Sequence, residues 1–350
     1  MPPLAVRQGV GEEWGMTLWV RGLRKRFGAV EALRGVTFRV PEGATWGLLG
    51  PNGSGKTTTM RILLGIVPPD AGEVTWQGRP VAQWPRSLWG YLPEERGLYP
   101  KLPVREQLTY LARLQGLSAR EAAARADRWL RRLAMEGMAR RRLEQLSKGN
   151  QQKIQFAAAV LHDPAILLLD EPFSGLDPGN AATLKQVLEE LRGEGRTVLF
   201  SSHRLDHVRE LCDGITLVHD GRVVLHGTLE EVVAPFREPR IRVRLARPLP
   251  ADAVSRLPLP PRRVEGEWLS FDLRDGPQGR GAGTPSGAAP WQDPALADLC
   301  RGLLDAILQH GPVVRFEWEE PDLEAIYIRL TGRRPGASTR PEGEGDAGVA

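Results

Sequence analysis

Apolar positions in the first hundred residues form short runs of strand length, separated by turns that contain glycine or proline. These runs predict strands at 18–23, 36–40, 44–49, 73–76 and 88–92. From Val104 the spacing becomes helical and predicts helices at 104–114 and 118–135, with Ser118 as an N-cap. Predicted strands return at 165–169, 197–201 and 215–218, alternating with helices that begin at Gly179 and Leu205. This order predicts an α/β fold with a mostly parallel sheet, an N-terminal β part and a helical insertion at about 93–160.

After Pro235 the pattern becomes that of a small α+β domain. Apolar residues alternate with polar ones through 241–245 and 269–273, as in strands. A helix is predicted at 294–310, a strand at 314–318 and a last helix at 322–330. Residues 276–289 are predicted to be a disordered loop. We therefore expect a first domain at 17–236 and a second at 239–332. An extension at 1–16 and a disordered, polar tail at 333–350 are expected to flank them.

Composition narrows the classes of protein that fit. The 350 residues are enough for two domains, and 47 Lys+Arg against 43 Asp+Glu give a net charge of +4, which does not argue for a nucleic-acid partner. Cys212 and Cys300 are far apart and lack metal-ligand spacing, which favours a reducing compartment over a disulfide framework. No apolar run reaches the roughly 20 residues of a membrane-spanning helix, so if the protein serves a membrane process, the membrane component is on another chain.

The strongest chemical signal is residues 50–58, Gly-Pro-Asn-Gly-Ser-Gly-Lys-Thr-Thr. They fit the phosphate-binding pattern of glycine, four residues, then Gly-Lys-Ser/Thr, between a predicted strand and a predicted helix. Lys56 can reach β- and γ-phosphates, and the Thr57 hydroxyl can bind Mg²⁺. The alternative is a glycine-rich turn that carries a lysine by chance. The residues assigned to the phosphates are Asn52, Gly53, Ser54, Gly55, Lys56, Thr57 and Thr58.

A second signal is the apolar run 165–169 followed by Asp170 and Glu171. Two acids at the carboxyl end of a parallel strand face the crevice where such sheets bind ligands. Asp170 is placed to hold Mg²⁺ through its water shell, and Glu171 to orient or deprotonate an attacking water. The alternative is a buried strand that ends in solvated acids.

Further segments, in order along the chain, resemble motifs of the nucleotide-binding subunits of ABC transporters. The run from Leu146 to Gln152, Leu-Ser-Lys-Gly-Asn-Gln-Gln, resembles the Leu-Ser-Gly-Gly-Gln signature, and Ser174-Gly175-Leu176-Asp177 resembles the D-loop. Ser201-Ser202-His203 is similar to the switch histidine, and Gly90-Tyr91-Leu92-Pro93-Glu94 stands at the place of the Q-loop. Phe27 stands where an aromatic ring stacks on adenine. The resemblance covers 17 to about 236 and implies a P-loop NTPase fold with a RecA-like sheet.

The resemblance also implies the ligand and the partner. It implies Mg-dependent hydrolysis of ATP with Glu171, His203 and Lys56 as catalytic residues, His203 contacting the γ-phosphate. It implies a homodimer arranged head to tail, in which Ser147, Gly149 and Asp177 complete the other subunit's ATP site.

Two departures from the family pattern stand out. Glu94 replaces the usual glutamine, and its carboxylate can still bind the metal or bridge to it through water. Lys148 and Asn150 replace glycine and glutamine, so Lys148 either adds a cation near the phosphates or points to solvent.

Residues 92–100 and 146–152 resemble, within that family, the ATPases of ABC-2-type exporters, especially the sodium-efflux type, whose C-terminal ends are similar to 322–331. This implies a cytoplasmic subunit held at the inner face of the membrane by a separate permease, driving efflux of sodium or drugs. The alternatives are a soluble ABC-type ATPase acting on the ribosome or DNA without a permease, and a nucleotide-binding regulator that does not hydrolyse ATP. Neither the cargo nor the permease follows from the sequence.

Overall fold

A computed structural model of the chain describes residues 17–95, 97–276 and 293–332. Two compact units make up this part of the chain, and the boundary between them along the sequence falls between Leu229 and Glu230. The predicted N-terminal extension, the predicted tail and all of the predicted loop except Gly276 lie outside the described residues.

The first unit is built from two sheets and a group of helices. Its strands are β1 (Thr17–Phe27), β2 (Val30–Pro41), β3 (Thr45–Leu49), β4 (Ala71–Trp76), β5 (Arg79–Pro80), β6 (Trp89–Leu92), β7 (Ile166–Leu169), β8 (Thr197–Ser202), β9 (Gly214–His219) and β10 (Arg222–Thr228). Its helices are α1 (Lys56–Leu63), α2 (Val104–Leu114), α3 (Ala119–Arg132), α4 (Lys148–Val160), α5 (Pro178–Gly193) and α6 (Leu205–Leu211).

The larger sheet has the order β10-β9-β3-β8-β7-β6 and is parallel except for β10 at its edge. Its central strands are buried on both faces, which explains their continuous apolar sequences. The smaller sheet, β2-β1-β4-β5, is antiparallel. Side chains of both sheets and of α1 share one core, which includes Phe38, Trp46, Met60, Trp76 and Leu168. The α/β prediction with a mostly parallel sheet and an antiparallel N-terminal part is confirmed.

Helices α2, α3 and α4 pack together between β6 and β7 in the chain. The predicted N-cap at Ser118 is confirmed, because its Oγ accepts from the Glu121 N–H at 3.3 Å while the Glu121 carboxylate accepts from the Ser118 N–H at 3.1 Å. The predicted end of α3 at residue 135 is wrong. The helix ends at Arg132, and Ala134 takes a left-handed conformation with φ of 53° that no α-helix continues through.

The second unit contains an antiparallel sheet of order β12-β13-β11-β14. Its elements are α7 (Leu229–Val233), β11 (Arg240–Leu245), α8 (Ala251–Ser255), β12 (Arg263–Glu265), β13 (Trp268–Asp272), α9 (Pro294–Leu308), β14 (Val313–Trp318) and α10 (Leu323–Thr331). One face of the sheet packs on α9 through side chains such as Val243, Phe271 and Leu303.

The structure places the boundary between the units earlier than the predicted limit at 236. The guanidinium of Arg237 pairs with Glu230 and, at 3.4 Å, with Glu320. Residues 230–237 are thereby tied to the C-terminal unit.

Candidate functional site

The glycine loop follows β3 and leads directly into α1. Gly55, the N-cap of α1, has φ of 107°, a conformation that glycine adopts without steric strain. A Cβ at this position would lie 2.6 Å from Leu33 Cδ2 and 2.8 Å from the Ala32 carbonyl oxygen. The β1–β2 hairpin therefore packs so closely on the loop that no side chain fits there. The loop ends at a helix N-terminus, where free N–H groups favour anions.

Lys56 lies buried at the start of α1, within the loop. Its Nζ donates to the carbonyl oxygens of Gly50 at 2.8 Å and Pro51 at 3.1 Å. Burial lowers the pKa of Lys56, whereas the charges of Glu171, Asp170 and Glu94 raise it. The charge of the lysine predicted to bind phosphates therefore interacts with those of all three predicted acids.

The two acids after β7 are held by a serine of the neighbouring strand. Leu169 pairs with Phe200 in parallel register, so the residues that follow each of them, Asp170 and Ser201, lie side by side. Ser201 Oγ donates to Asp170 Oδ1 at 2.5 Å and accepts from the Glu171 N–H at 2.9 Å. Glu171 has φ of 49°, which is uncommon for a residue other than glycine. Ser201 thus fixes both the carboxylate of Asp170 and the backbone of Glu171.

His203 lies beyond the end of β8, and its Nδ1 is 3.0 Å from Glu171 Oε2. Burial raises the pKa of Glu171, and the hydrogen bond from His203 opposes that rise. The result is a carboxylate with an elevated pKa, as expected for a group that exchanges protons with a substrate or water. We call Lys56, Asp170, Glu171, Ser201 and His203 the phosphate cluster.

Three buried oxygens of this region lack a hydrogen-bond partner among the described residues: Ser54 Oγ, Asp170 Oδ2 and Glu171 Oε1. Buried polar atoms are normally hydrogen-bonded, so unpartnered ones indicate that the site is completed by a ligand. Carboxylate and hydroxyl oxygens are the donors that a hard cation such as Mg²⁺ prefers. The half-buried Thr57, in the first turn of α1, offers a further hydroxyl. These groups fit a bound phosphate with its cation.

A second group of predicted residues, the signature cluster, consists of Ser147, Gly149 and Asp177. Ser147 is the N-cap of α4, and Asp177 is the N-cap of α5. The amide Nδ2 of Asn180 donates to Asp177 Oδ2 at 2.5 Å, and it would lie 2.6 Å from a Cβ at Gly149. Within the described residues the signature cluster forms no hydrogen bond with the phosphate cluster. Lys148 is exposed to solvent.

Two predicted ligand contacts lie at the edge of the site. The side chain of Phe27, at the end of β1, is 49% exposed, and the Lys25 Nζ lies 5.5 Å from its ring centroid. Glu94 is exposed on the loop after β6.

Ser201 and two glutamines of α4 have structural roles at the site that the sequence analysis did not assign. Gln152 Nε2 donates to the Pro172 carbonyl, one residue after Glu171, at 3.3 Å, and Gln155 binds the loop of Glu94. The sequence gives no signal for the contact of Ser201 with both acids, because the predicted strand ends, 169 and 201, differ by one residue from the observed register, in which Leu169 pairs with Phe200. Helices found in the described ranges are all too short or too polar to span a bilayer.

Comparisons with known proteins agree with this geometry. The family model described as ABC transporter matches residues 33–174, which include the glycine loop and both acids. The chain is 47% identical over 323 residues to the uncharacterized ABC transporter ATP-binding protein YhaQ of Bacillus subtilis, covering 90% of this chain and 98% of that protein. It is 36% identical over 207 residues to the ABC transporter ATP-binding protein NatA of Bacillus subtilis, covering 58% of this chain and 84% of that protein.

A third relative is the daunorubicin resistance ATP-binding protein DrrA3 of Streptomyces coeruleorubidus, 35% identical over 320 residues, with 89% of this chain and 95% of that protein covered. Among solved structures, a dimeric ATP-binding cassette in a post-hydrolysis state with bound ADP and Pi matches with a TM-score of 0.56 and 26% identity. That match covers 61% of this chain and 98% of the other. The phosphate cluster, the fold and these relatives together show that the chain belongs to the ABC transporter family, as an ATP-binding, ATP-hydrolysing subunit of the export type.

Proposed function

We propose that this subunit drives export through a separate ABC-2-type permease, and that ATP joins two copies of it head to tail. The observation that carries the proposal is that, among the described residues of one chain, no hydrogen bond joins the signature cluster to the phosphate cluster. The glycine loop of one chain would surround phosphates from one side only. The exposed Ser147 caps a 13-residue helix whose N-terminus favours anions. A second copy placed head to tail would bring its Ser147 and α4 N-terminus to the open side of the γ-phosphate, and its Asp177 with them.

In this proposal the phosphates are bound by Lys56 and by the loop Asn52 to Thr58, while Phe27 stacks on adenine. Thr57, Asp170 and Glu94 would hold the metal, directly or through water. Magnesium bound there supplies neutralisation of the phosphate charge. Ser201 keeps the Asp170 carboxylate oriented, because Asp170 Oδ1 accepts a hydrogen bond from the serine hydroxyl.

Glu171 acts as the general base in this proposal. Its Oε2 accepts from His203 when Nδ1 is protonated, which leaves the unpartnered Oε1 to accept a proton from water. His203 thereby orients the base and can contact the γ-phosphate. When the γ-phosphate is lost, His203 loses this contact and the two subunits separate. ATP hydrolysis is thereby coupled to a conformational change.

The permease is proposed to dock where apolar side chains are exposed on the helical part. Tyr99 (51% exposed), Leu102 (38%), Tyr110 (49%) and Leu114 (64%) lie on α2 and on the segment before it, close in sequence to Glu94. Exposed apolar groups of this kind are typical of protein interfaces. Docking there would hold the subunit at the cytoplasmic face of the membrane.

The dimer is tested by Glu171→Gln, which keeps the side chain's shape and removes the base. We expect the variant to form an ATP-dependent dimer in light scattering, and Ser147→Arg in the same background to abolish the dimer while ATP still binds. A Glu171→Gln protein that binds ATP yet remains monomeric would contradict the head-to-tail arrangement.

The permease is tested by affinity purification of the tagged subunit from detergent-solubilised membranes of its host. A co-purifying polytopic protein would support the proposal, and sodium and hydrophobic drugs are then the cargoes to assay in vesicles. Co-purification of ribosomal or DNA-repair proteins without any membrane protein would overturn it.

A further inference from the structure

Gln155, which belongs to none of the sequence motifs described above, forms hydrogen bonds with the loop that carries Glu94. The residue lies in the middle of α4 and is only 5% exposed. Its Nε2 donates to two backbone carbonyls, that of Pro93 at 3.1 Å and that of Glu95 at 2.9 Å. The two carbonyls flank Glu94, so one buried amide fixes the backbone on both sides of the exposed carboxylate.

The same helix is anchored at the other acid and begins at the signature cluster. Gln152 lies one turn before Gln155 and binds the Pro172 carbonyl, next to Glu171. Helix α4 also packs on β6, the strand that leads into the loop of Glu94. A single rigid helix therefore carries Ser147 at its N-terminus and holds the backbone near both acids.

We infer that Gln155 is a positioning residue for Glu94: it holds the carboxylate where it can serve the metal and Lys56. The inference rests on the proposed role of Glu94 at the metal. A primary amide is needed because its two N–H groups satisfy two acceptors at once. A methionine of similar length supplies no donor, so the two carbonyls would turn to water and the loop would leave its position.

The test compares Gln155→Met with Gln107→Met as a matched control. Gln107 is also a fully buried glutamine on a helix of the same region, and it also binds the connecting segment, at the Leu102 carbonyl (3.4 Å) and the Tyr99 N–H (3.3 Å). Both substitutions remove buried hydrogen bonds and should lower the midpoint of thermal unfolding. Only Gln155→Met removes them next to Glu94.

The first readout is hydrogen–deuterium exchange of peptides that contain residues 93–95, measured without nucleotide or metal. We expect faster exchange there in Gln155→Met and no change in Gln107→Met. The second readout is the Mg²⁺ concentration that gives half-maximal ATPase activity. We expect it to rise about tenfold in Gln155→Met, as when a partner that orients a metal ligand is removed. In a Glu94→Ala background Gln155→Met should raise it no further, because the group it positions is gone.

Wild-type exchange and wild-type Mg²⁺ dependence in Gln155→Met would overturn the inference, as would an effect that persists in full without Glu94. If Gln155→Met does not fold, Gln155→Asn serves instead, because its shorter amide keeps the donors but reaches the two carbonyls poorly. An absence of ATPase activity in the wild-type protein would overturn the proposed function, while the exchange experiment would still decide whether Gln155 fixes the loop.

Discussion

Replacing Ser201 by alanine removes one hydroxyl that serves both acids. Asp170 is fully buried, and its Oδ2 has no partner among the described residues, so loss of the Ser201 bond leaves its carboxylate without a side-chain donor. Such a bond to a charged group contributes about 1.5–3 kcal/mol. The Glu171 N–H is also left unpaired, at a further cost of about 1–3 kcal/mol. We therefore expect the free energy of unfolding of the first unit to fall by at least about 3 kcal/mol.

The assay is chemical or thermal unfolding of the protein without nucleotide, in parallel with its ATPase activity. A loss of this size lowers the unfolding midpoint by about 6–12 °C in a domain of this length. Ser202→Ala is the control. Among the described residues the Oγ of Ser202 bonds only to the backbone of Arg204, at 3.1 and 2.9 Å, and should contribute about 1 kcal/mol. If Ser201→Ala is no less stable than Ser202→Ala, the argument from the buried carboxylate is refuted.

Two further predictions concern the base and the glycine loop. Because burial raises the pKa of Glu171, the carboxylate should begin to take up protons at a pH above the usual pKa of 4.5. The hydrogen bond from His203 lowers this pKa, so His203→Ala should move the acid limb of the kcat/KM profile to higher pH. An acid limb that does not move would contradict this. Gly55→Ala should weaken binding of a fluorescent ATP analogue at least about tenfold, because its Cβ meets the Ala32 carbonyl oxygen at 2.8 Å. Gly65→Ala, also at positive φ but with nothing within 4 Å, should bind normally.

The family, the fold class and most elements followed from the sequence because their signals are local. A phosphate loop is specified by glycines at fixed spacing, and a buried parallel strand by a continuous apolar run. The cap at Ser118 depends on a residue three positions away, so the pattern alone predicts it. Strand β10 escaped prediction because its side chains are half-buried without alternation. The roles assigned to individual site residues stay predictions.

What the tertiary structure decided is which groups meet. The sequence alone placed Asp170 and Glu171 at a strand end, but only the register of β7 against β8 brings Ser201 to both. Likewise Gln155 and Glu94 are 61 positions apart, and the packing of α4 on β6 joins the helix to the loop. Lys148 is exposed in a single chain, and its place near the phosphates of a second copy stays a prediction. Strand register and helix packing are set by contacts between segments distant in the chain, whereas a motif or a cap is complete within a few residues.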